Sequence, residues 1–563
     1  MTDIEAVAQR LVARFERENI RVVSTEERAF PEEVMLVAYV AAHDFNRAVE
    51  LSSDIEDDFH DPSGRPVMLV VRRTKDMAET PEGAGSVTGV SDARVGELVR
   101  LISAKSRVSS VEPNLVYVPD ARASLSTITA SRHHLVFGRR GAGKSALLME
   151  ARRALRSEGA VISWTNIQTL RHETPQRIFL YVLKDLLESV IAGRRSTPPQ
   201  SALALSLGQL HGRIQDLLLA DTPTETEDAQ RLVPQIQRAL SSYLEIEGNR
   251  AFAFIDDFYY VPRDMQPDIL DLIHGAIRDT NTWIKIASIR HLTNWWRPSP
   301  PTGLQSGQDA DLIDLDVTLQ EPDKAGKFLE GILAEYASRV GISSLSRIFN
   351  RPALDRLVLA SGAVPRDYMV LAVSALNRAQ RRRNARVAGV QDVNQAAGDA
   401  ASSKIQELEE DMAANRGVAA RTVKTLQTVR KFCLDETAFT YFLVDHREKE
   451  DRPFEYGLLA DLMDVRLIHL IDAGVSAAHE AGSRYEAYML DLSQFSGSRL
   501  KQRITVLDFE DRHFVSKVTR SSTAVKKGAT SRQLVGILRG APEFKLASLS
   551  FELPDVTTPA FSD

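Results

Sequence analysis

A short glycine-rich segment carries the clearest chemistry in this sequence. Gly138, Gly143, Lys144 and Ser145 fit the spacing G-x-x-x-x-G-K-[ST]. In that pattern backbone N–H groups curl around phosphates, the lysine reaches the β- and γ-phosphates, and the hydroxyl binds Mg²⁺. We therefore expect a nucleoside-triphosphate site with Mg²⁺. The residues expected to line the phosphates are Gly138, Arg139, Arg140, Gly141, Ala142, Gly143, Lys144, Ser145 and Ala146.

A pair of carboxylates follows a second apolar segment. Residues 251–255 are wholly apolar, which predicts a buried strand that leads directly into Asp256 and Asp257. Ligands bind at the carboxyl ends of parallel strands, so both acids should lie near the phosphate loop. Asp256 is the candidate Mg²⁺ ligand beside Ser145, and Asp257 is the candidate catalytic base for the attacking water. Because aspartate is shorter than glutamate, we expect slow hydrolysis.

Two further polar groups stand where a γ-phosphate could be sensed. Ser288 lies at the end of the next predicted strand, and Arg290 is a second candidate there. Arg366 opens a predicted helix, and its permanent charge and forked donors suit phosphate oxygens. Ser288 and Arg366 are therefore candidate catalytic residues. The alternatives, ordinary polar residues at a strand end and a surface arginine beside a helix start, remain open here.

Positioning these residues together requires a parallel sheet. Helical segments alternate with short apolar runs, which is the pattern of β-α-β crossovers in an α/β fold. A long span with polar ends, residues 193–227, predicts an insertion between the second and third strands. The apolar runs are residues 135–137, 161–164, 251–255, 284–289 and 312–315.

The chain of 563 residues is too long for one ordinary domain. Helices followed by a predicted hairpin, residues 467–471 and 485–492, indicate a winged-helix-like segment. The predicted divisions are an N-terminal α+β module (1–120), a P-loop core (121–320), a helical lid (321–415), a winged-helix-like domain (416–515) and a C-terminal extension (516–563).

Composition limits the class of protein. Hydrophobic residues make up 43% and charged residues 26%, which is ordinary for a globular protein. One cysteine, Cys433, excludes an intrachain disulfide and fits a reducing compartment. We see no signal peptide and no apolar run long enough for a membrane span, so we expect a cytoplasmic protein without a membrane partner. The net charge of −6 excludes a wholly basic surface.

Local arginine and lysine clusters are the candidates for nucleic-acid contact. They could bind the phosphates of double-stranded DNA, or they could be solvated faces of ordinary helices. One cluster comprises Arg378, Arg381, Arg382, Arg383 and Arg386; the second, towards the C-terminus, comprises Arg484, Arg499, Lys501, Arg503, Lys517, Arg520, Lys526 and Lys527.

In their order along the chain, these features resemble the AAA+ ATPases of the origin-recognition initiator type and the related STAND signal-transduction ATPases. The resemblance covers residues 121–500. It implies a sheet of order 5-1-4-3-2, ATP and Mg²⁺ as ligands, and sensor roles for Ser288 and Arg366. It also implies a homo-oligomer with an arginine finger, for which Arg297 is a candidate. The N-terminal module and residues 193–235 have no counterpart, so initiator function is not implied.

Three functions fit these expectations. The first is an ATP-dependent molecular switch that hydrolyses ATP slowly and engages DNA through its C-terminal domain. The second is a nucleotide-gated protein-interaction or assembly module, in regulation or defence, without DNA binding. Its protein partner could bind residues 1–120. The third is a P-loop fold that binds nucleotide but scarcely hydrolyses it.

Overall fold

The chain forms two compact units. The first comprises residues 1–116, 332–350 and 376–389, and the second comprises residues 117–331, 351–375 and 390–563. Among the described residues, no helix is long and apolar enough to cross a membrane. The computed structural model describes residues 3–18, 20–29, 34–40, 44–55, 67–73, 87–105, 118, 123–194, 197–198, 201–220, 225–411, 416–476, 484–496, 503–519, 526–528 and 530–550.

The first unit contains a three-stranded sheet. Strand β1 (Val22–Ala29) pairs antiparallel with β2 (Val34–Val40), and β2 pairs parallel with β3 (Val67–Arg73). All seven residues of β2 are buried, because both of its faces are covered by apolar side chains. The sequence analysis missed β1, since its charged residues look like a loop. The helices of this unit are α1 (Asp3–Arg17), α2 (Phe45–Ile55) and α3 (Ala93–Lys105).

Two expectations for the N-terminal module fall largely outside the described residues. The Gly-, Thr-, Glu- and Pro-rich composition of residues 76–89 predicts a mobile loop, and the apolar residues 115–118 predict a last strand. The described residues there are 87–89 and 118, and none of them lies in a strand.

The second unit contains the parallel sheet that the sequence predicts. Its strands lie in the spatial order β10-β4-β7-β6-β5, and every neighbouring pair is parallel. Counted along the chain, this order is 5-1-4-3-2, so the predicted fold class is confirmed. The strands are β4 (His133–Phe137), β5 (Val161–Asn166), β6 (Ala251–Asp256), β7 (Thr282–Ser288) and β10 (Ala310–Asp314).

Helices cover both faces of this sheet. Alternate residues of β4 enter different cores: Leu135 and Phe137 join one apolar cluster, and Val136 joins the other. Such two-sided burial explains why the strands read as continuous apolar runs. The insertion consists of α7 and α8, and a small hairpin, β8 (Trp296–Pro298) and β9 (Pro301–Gly303), follows β7. The helices are α4 (Ser124–Ile128), α5 (Lys144–Ser157), α6 (Pro175–Ala192), α7 (Ala202–Leu219), α8 (Thr226–Glu247) and α9 (Gln266–Ile277).

The segment predicted as a lid is helical. It contains α10 (Pro322–Arg339), α11 (Arg351–Ala360), α12 (Pro365–Arg381) and α13 (Val390–Asp411). A turn of four residues, Ser361 to Val364, separates α11 from α12. That turn and the start of α12 belong to the second unit, together with the phosphate loop.

The segment predicted as winged-helix-like contains a small antiparallel sheet. Its sheet has the order β11-β13-β12 with antiparallel pairs, and β12 and β13 form the predicted hairpin. The elements, in chain order, are α14 (Arg416–Lys431), β11 (Tyr441–Asp445), α15 (His446–Asp451), α16 (Pro453–Asp464), β12 (Ile468–Ser476) and β13 (Arg484–Leu490).

A second C-terminal sheet was not foreseen from the sequence. It has the order β14-β15-β16 and is followed by α17 (Ser531–Leu538). The predicted boundary between residues 515 and 516 lies inside β15. Polar composition suggested an extended tail there, but backbone pairing with β14 holds this segment in a sheet. The strands are β14 (Thr505–Glu510), β15 (His513–Val518) and β16 (Lys526–Gly528).

Candidate functional site

The phosphate loop connects β4 to α5. Gly143 precedes the first residue of α5 with φ of 99°, and no side chain caps the N–H groups of that helix. Gly141 has φ of 80°, and a Cβ atom at Gly141 would lie 2.7 Å from the Cβ of Arg366. The backbone therefore needs glycine at both positions, and the uncapped N–H groups at the start of α5 can face an anion.

Lys144 lies within this loop. Its Nζ donates hydrogen bonds to the carbonyl oxygens of Gly138 at 2.8 Å and Arg139 at 3.2 Å. Burial lowers the pKa of Lys144, while the negative charges of Asp257 and Asp256 act in the opposite direction. The structure thus brings the predicted lysine and the predicted carboxylates into one electrostatic environment.

The two candidate metal ligands interact. The Ser145 hydroxyl, at the start of α5, favours the charged form of the Asp256 carboxylate at the end of β6. Burial, aided by the neighbouring charge of Asp257, raises the pKa of Asp256 to about 6. A hydroxyl and a carboxylate are hard oxygen ligands of the kind that Mg²⁺ prefers, so the residues present fit that ion.

Asp257 leaves the strand in a left-handed conformation. Its φ is 58°, and its N–H donates a 2.9 Å hydrogen bond to Oδ1 of Asp256. This turn separates the two acids in direction, although they are adjacent in sequence. A non-glycine residue in this conformation carries strain, which is common at functional sites.

The predicted sensor at the end of β7 has a local hydrogen-bond partner. Ser288 pairs in register with Phe137 of β4 and is buried. Its hydroxyl lies 2.6 Å from that of Thr293, which in turn donates to the Ile289 carbonyl at 2.6 Å. Arg290 forms an ion pair with Asp314 at 3.6 Å. Ser288 therefore lies beside the phosphate-loop strand, with its hydroxyl bonded to Thr293.

The start of the lid touches the phosphate loop. The backbone N–H of Arg366 donates to the Gly141 carbonyl at 3.3 Å, and the Arg366 side chain is exposed. Arg139 donates from its side chain to the carbonyls of Val317 at 2.9 Å and Gly362 at 3.3 Å. The backbone N–H of Arg139 also donates to Oδ1 of Asp316 at 2.8 Å, so both its backbone and its guanidinium are hydrogen-bonded within the chain.

Two further residues, Arg297 and Tyr259, bear on the predicted site. Arg297, the candidate arginine finger, forms an ion pair with Asp268 of α9. Tyr259, which the sequence analysis missed, lies beside the loop: its ring faces the guanidinium of Arg140 at 5.4 Å and the ammonium of Lys144 at 6.0 Å. Burial raises the pKa of Tyr259 far above its usual range. An aromatic residue after a strand gives no sequence signal of this placement.

A buried charge network, also missed, joins lid helices α12 and α13 to the winged-helix-like segment. Nζ of Lys404 lies 3.2 Å from Oδ2 of Asp491 and 3.5 Å from Oδ2 of Asp367. Nε2 of His469 lies 2.8 Å from Asp491, and Arg466 pairs with Asp367 at 3.2 Å. Although burial acts in the opposite direction, the charge of Lys404 and the hydrogen bond from His469 hold the pKa of Asp491 well below its usual range.

The same network reaches the phosphate loop. Arg466 also donates to the Arg140 carbonyl at 3.4 Å. Gly362, in the turn before α12, packs against the His469 ring so closely that a Cβ atom there would lie 2.1 Å from it. Gly362 has φ of 56°, so both its conformation and its surroundings require glycine.

The fold and the site define a class. A parallel sheet of order 5-1-4-3-2, a glycine-rich loop between its first strand and helix, and an acid at the tip of the third strand form a P-loop NTPase core with an AAA+-like sheet order.

Comparisons with known proteins find distant structural neighbours of this chain. No protein-family model matches the chain, and no curated protein matches it. The Orc1 protein of Aeropyrum pernix in complex with DNA is 15% identical, with a TM-score of 0.34 over 67% of this chain and 90% of that one. Cdc6p from Pyrobaculum aerophilum is 12% identical, with a TM-score of 0.31 over 70% and 94%. Drosophila ORC bound to DNA is 14% identical, with a TM-score of 0.22 over 64% and 87%. Similarities of this size carry no argument about function, so the class rests on the sheet order and the phosphate loop.

Proposed function

We propose that this protein is an ATP-binding molecular switch of the AAA+ type that hydrolyses ATP slowly. The supporting observation is that Ser145, Asp256 and Lys144 share one electrostatic environment at an uncapped helix start. Each of these groups has a place in binding a triphosphate with Mg²⁺. The finer assignment between initiator-like and STAND ATPases belongs to this proposal as well.

Each residue has a role in the proposed site. Lys144 and the backbone N–H groups of residues 138–146 hold the phosphates. Ser145 and Asp256 hold Mg²⁺, which when bound neutralises charge on the phosphates. Asp257 orients the attacking water and accepts its proton. The positive φ of Asp257 and its short side chain support slow turnover.

The two candidate sensors differ in how readily their side chains could contact a bound phosphate. The Ser288 hydroxyl must exchange its bond with Thr293 to contact a phosphate or the water. Arg366 is already exposed at the start of α12, where its backbone contacts Gly141. We therefore assign Arg366 to closing the lid over bound ATP and Ser288 to positioning water.

Two measurements test the proposal. Isothermal titration calorimetry with ATP and Mg²⁺ should give saturable binding, and a phosphate-release assay should give slow turnover. Light scattering with and without ATP then tests whether ATP drives homo-oligomerisation. A chain that is folded but binds no nucleotide would refute the proposal as a whole, whereas binding without phosphate release would leave a switch that does not hydrolyse ATP.

A nucleotide-gated protein-interaction module is the second candidate for the output of the switch. Helix α16 of the winged-helix-like segment carries Glu455, Asp461 and Asp464 but no lysine or arginine. An acidic helix repels a phosphate backbone, which favours a protein partner for this surface over double-stranded DNA. A further partner could bind residues 1–120. Light scattering with duplex DNA separates the two outputs, since an intact switch that binds no DNA supports the protein-interaction module.

A further inference from the structure

We propose that a turn in the first unit binds the phosphodiester backbone of duplex DNA. This surface, the arginine turn, comprises residues 381–386 with the sequence Arg-Arg-Arg-Asn-Ala-Arg. The sequence names this cluster only as one of two candidates for nucleic-acid contact, with a solvated helix face as the alternative; the structure supplies the reasons to choose it over the C-terminal cluster. The inference goes beyond the proposed ATP switch and does not depend on it.

The turn has a fixed backbone. It begins where α12 ends, at Arg381, and Asn384 takes a left-handed conformation with φ of 63°. The N–H of Ala385 donates to the Arg382 carbonyl at 3.3 Å, and the Arg382 side chain donates to the Val387 carbonyl at 3.3 Å. Arg382 therefore closes the turn, while its neighbours project from it.

Contacts within the same unit hold both ends of the turn. The N–H of Val90 donates to the Arg386 carbonyl at 2.9 Å, and the side chain of Gln380 donates to the Val90 carbonyl at 2.9 Å. Gly89 lies so close that a Cβ atom there would be 2.6 Å from the Arg386 carbonyl oxygen. Because the backbone is fixed before any ligand arrives, binding does not have to order this segment.

Three arginines of the turn are exposed and uncompensated. The side chains of Arg381, Arg383 and Arg386 make no hydrogen bond or ion pair with the described part of the chain, and all three are exposed. The structure adds Arg347, also exposed: the neighbouring Ile348 carbonyl accepts a 2.8 Å hydrogen bond from Ala388. Residues far apart in sequence thus contribute to one basic surface.

Nearby acids of the same unit already have partners, and so does one lysine of the C-terminal candidate cluster. In the same unit, Asp92 pairs with Arg94, and Glu97 pairs with Arg72 at 2.6 Å. In the C-terminal segment, by contrast, Lys517 pairs with Asp508 at 2.6 Å. The arginine turn therefore offers positive charge that the described protein does not neutralise.

The chemistry of the turn favours a phosphate backbone over an acidic protein. Protein interfaces depend on buried aromatic or apolar anchors. The arginine turn offers four guanidinium groups, one amide and one methyl, and no such anchor. Guanidinium groups bind phosphates in a bidentate manner and release counterions from DNA, and neither effect requires a particular base sequence.

Fluorescence anisotropy of a labelled 20-base-pair duplex, titrated with the full-length protein in the absence of ATP, tests the proposal. The test variant is R381Q/R383Q/R386Q, and R213Q/R231Q/R238Q is the matched control, since it removes the same charge from exposed positions on α7 and α8. The test variant should bind about tenfold to a hundredfold more weakly, and the slope of log K against log salt should fall by about 3. The control should keep most of the affinity, and R347Q should weaken binding further.

Several outcomes would overturn the proposal. One is an unchanged affinity and salt slope in the test variant. Another is an equal loss in the control, or a loss confined to R484Q/R503Q, which neutralises exposed arginines of the C-terminal segment. Stronger competition by poly-glutamate or by duplex RNA than by unlabelled duplex would assign the surface to a different partner. ATP affinity, measured on the same variants, should be unchanged, so failure of this inference and failure of the ATP switch give different results.

Discussion

Two buried lysines lie near opposite ends of the parallel sheet and have different surroundings. Lys144 follows the carboxyl end of β4 and donates to two carbonyl groups of the phosphate loop. Lys285 pairs in register with His134 near the amino end of β4. Its Nζ donates to the carbonyls of Ala130 at 2.7 Å and Arg132 at 2.8 Å, and it lies 2.9 Å from Nδ1 of His134.

The difference lies in what a ligand could replace. An ammonium group has three donors. Those of Lys285 all have fixed acceptors, whereas Lys144 uses two on loop carbonyls and has Asp256 and Asp257 in its electrostatic environment. Burial lowers the pKa of Lys285 to about 7, and no carboxylate opposes it. Burial alone therefore does not indicate that a lysine is functional. What distinguishes a functional lysine is that a ligand could replace its hydrogen-bond acceptors.

The largest effect expected at the carboxyl end comes from Asp257→Asn. Losing the base should slow phosphate release by about 10²- to 10⁴-fold, while ATP binding survives. Asparagine tolerates the left-handed conformation that Asp257 adopts, so the backbone should be preserved. Phosphate release and calorimetry on the same preparation measure both quantities. An unchanged rate would show that another group activates the water.

Lys144→Ala should reduce ATP affinity by about a hundredfold, because a charged contact to phosphate is worth about 2–5 kcal/mol when truncated. The free energy of unfolding should change little, since only two carbonyls of an open loop lose their donor. Calorimetry gives the affinity and urea denaturation gives the stability. Strong destabilisation without loss of binding would reverse the comparison between the two lysines.

Lys285→Met should have the opposite result. It leaves three acceptors at the amino end without a donor, so the free energy of unfolding should fall by about 2 kcal/mol. ATP affinity of the folded variant should stay close to that of the unchanged protein. Urea denaturation and calorimetry give the two numbers, with Lys144→Ala as the matched buried-lysine control. A loss of ATP binding at unchanged stability would contradict a structural role.

The pH dependence of stability gives the smallest expected effect. Lys285 has a pKa of about 7 in the folded chain, and an unfolded lysine has a pKa of about 10.4. Between these values the unfolded state binds more protons, so the free energy of unfolding should rise by about 1 kcal/mol per pH unit above pH 7.5. Well below pH 7 both states are protonated, so this contribution is flat. Denaturation of wild type and Lys285→Met between pH 7.5 and 8.5 isolates it, because the variant should lack that rise.

Sequence reasoning succeeded where the signal is local. The strand before Gly138, the glycines themselves and the apolar run before Asp256 predicted a parallel sheet, and the resemblance to AAA+ ATPases implied its order. Their residue types are dictated by burial and by backbone conformation, which neighbouring residues reveal. The placement of Asp256 beside the phosphate loop followed from the rule that ligands bind at the carboxyl ends of parallel strands.

The rest depended on long-range contacts that no local pattern encodes. Lys285 reads as one polar residue in a strand, and its acceptor Ala130 lies 155 residues earlier. The proposed roles of Tyr259 and Arg347 likewise depend on neighbours that are distant in sequence and that the fold brings close. Strand β1 was missed for a different reason: its sequence is mostly polar and shows no alternation of apolar and polar residues, and its place in the sheet depends on pairing with β2.

The charge network around Lys404 has a consequence for cooperativity. A chain that ended at residue 415 would lack Asp491 and Arg466. Lys404 and Asp367 would then lose these partners. Each buried charge left without its partner costs about 3–5 kcal/mol, which is a large part of the stability of a typical domain. The helices that carry Lys404 and Asp367 should therefore unfold together with the strands that follow them, as a single foldon, and their amide protons should exchange with solvent at a common rate.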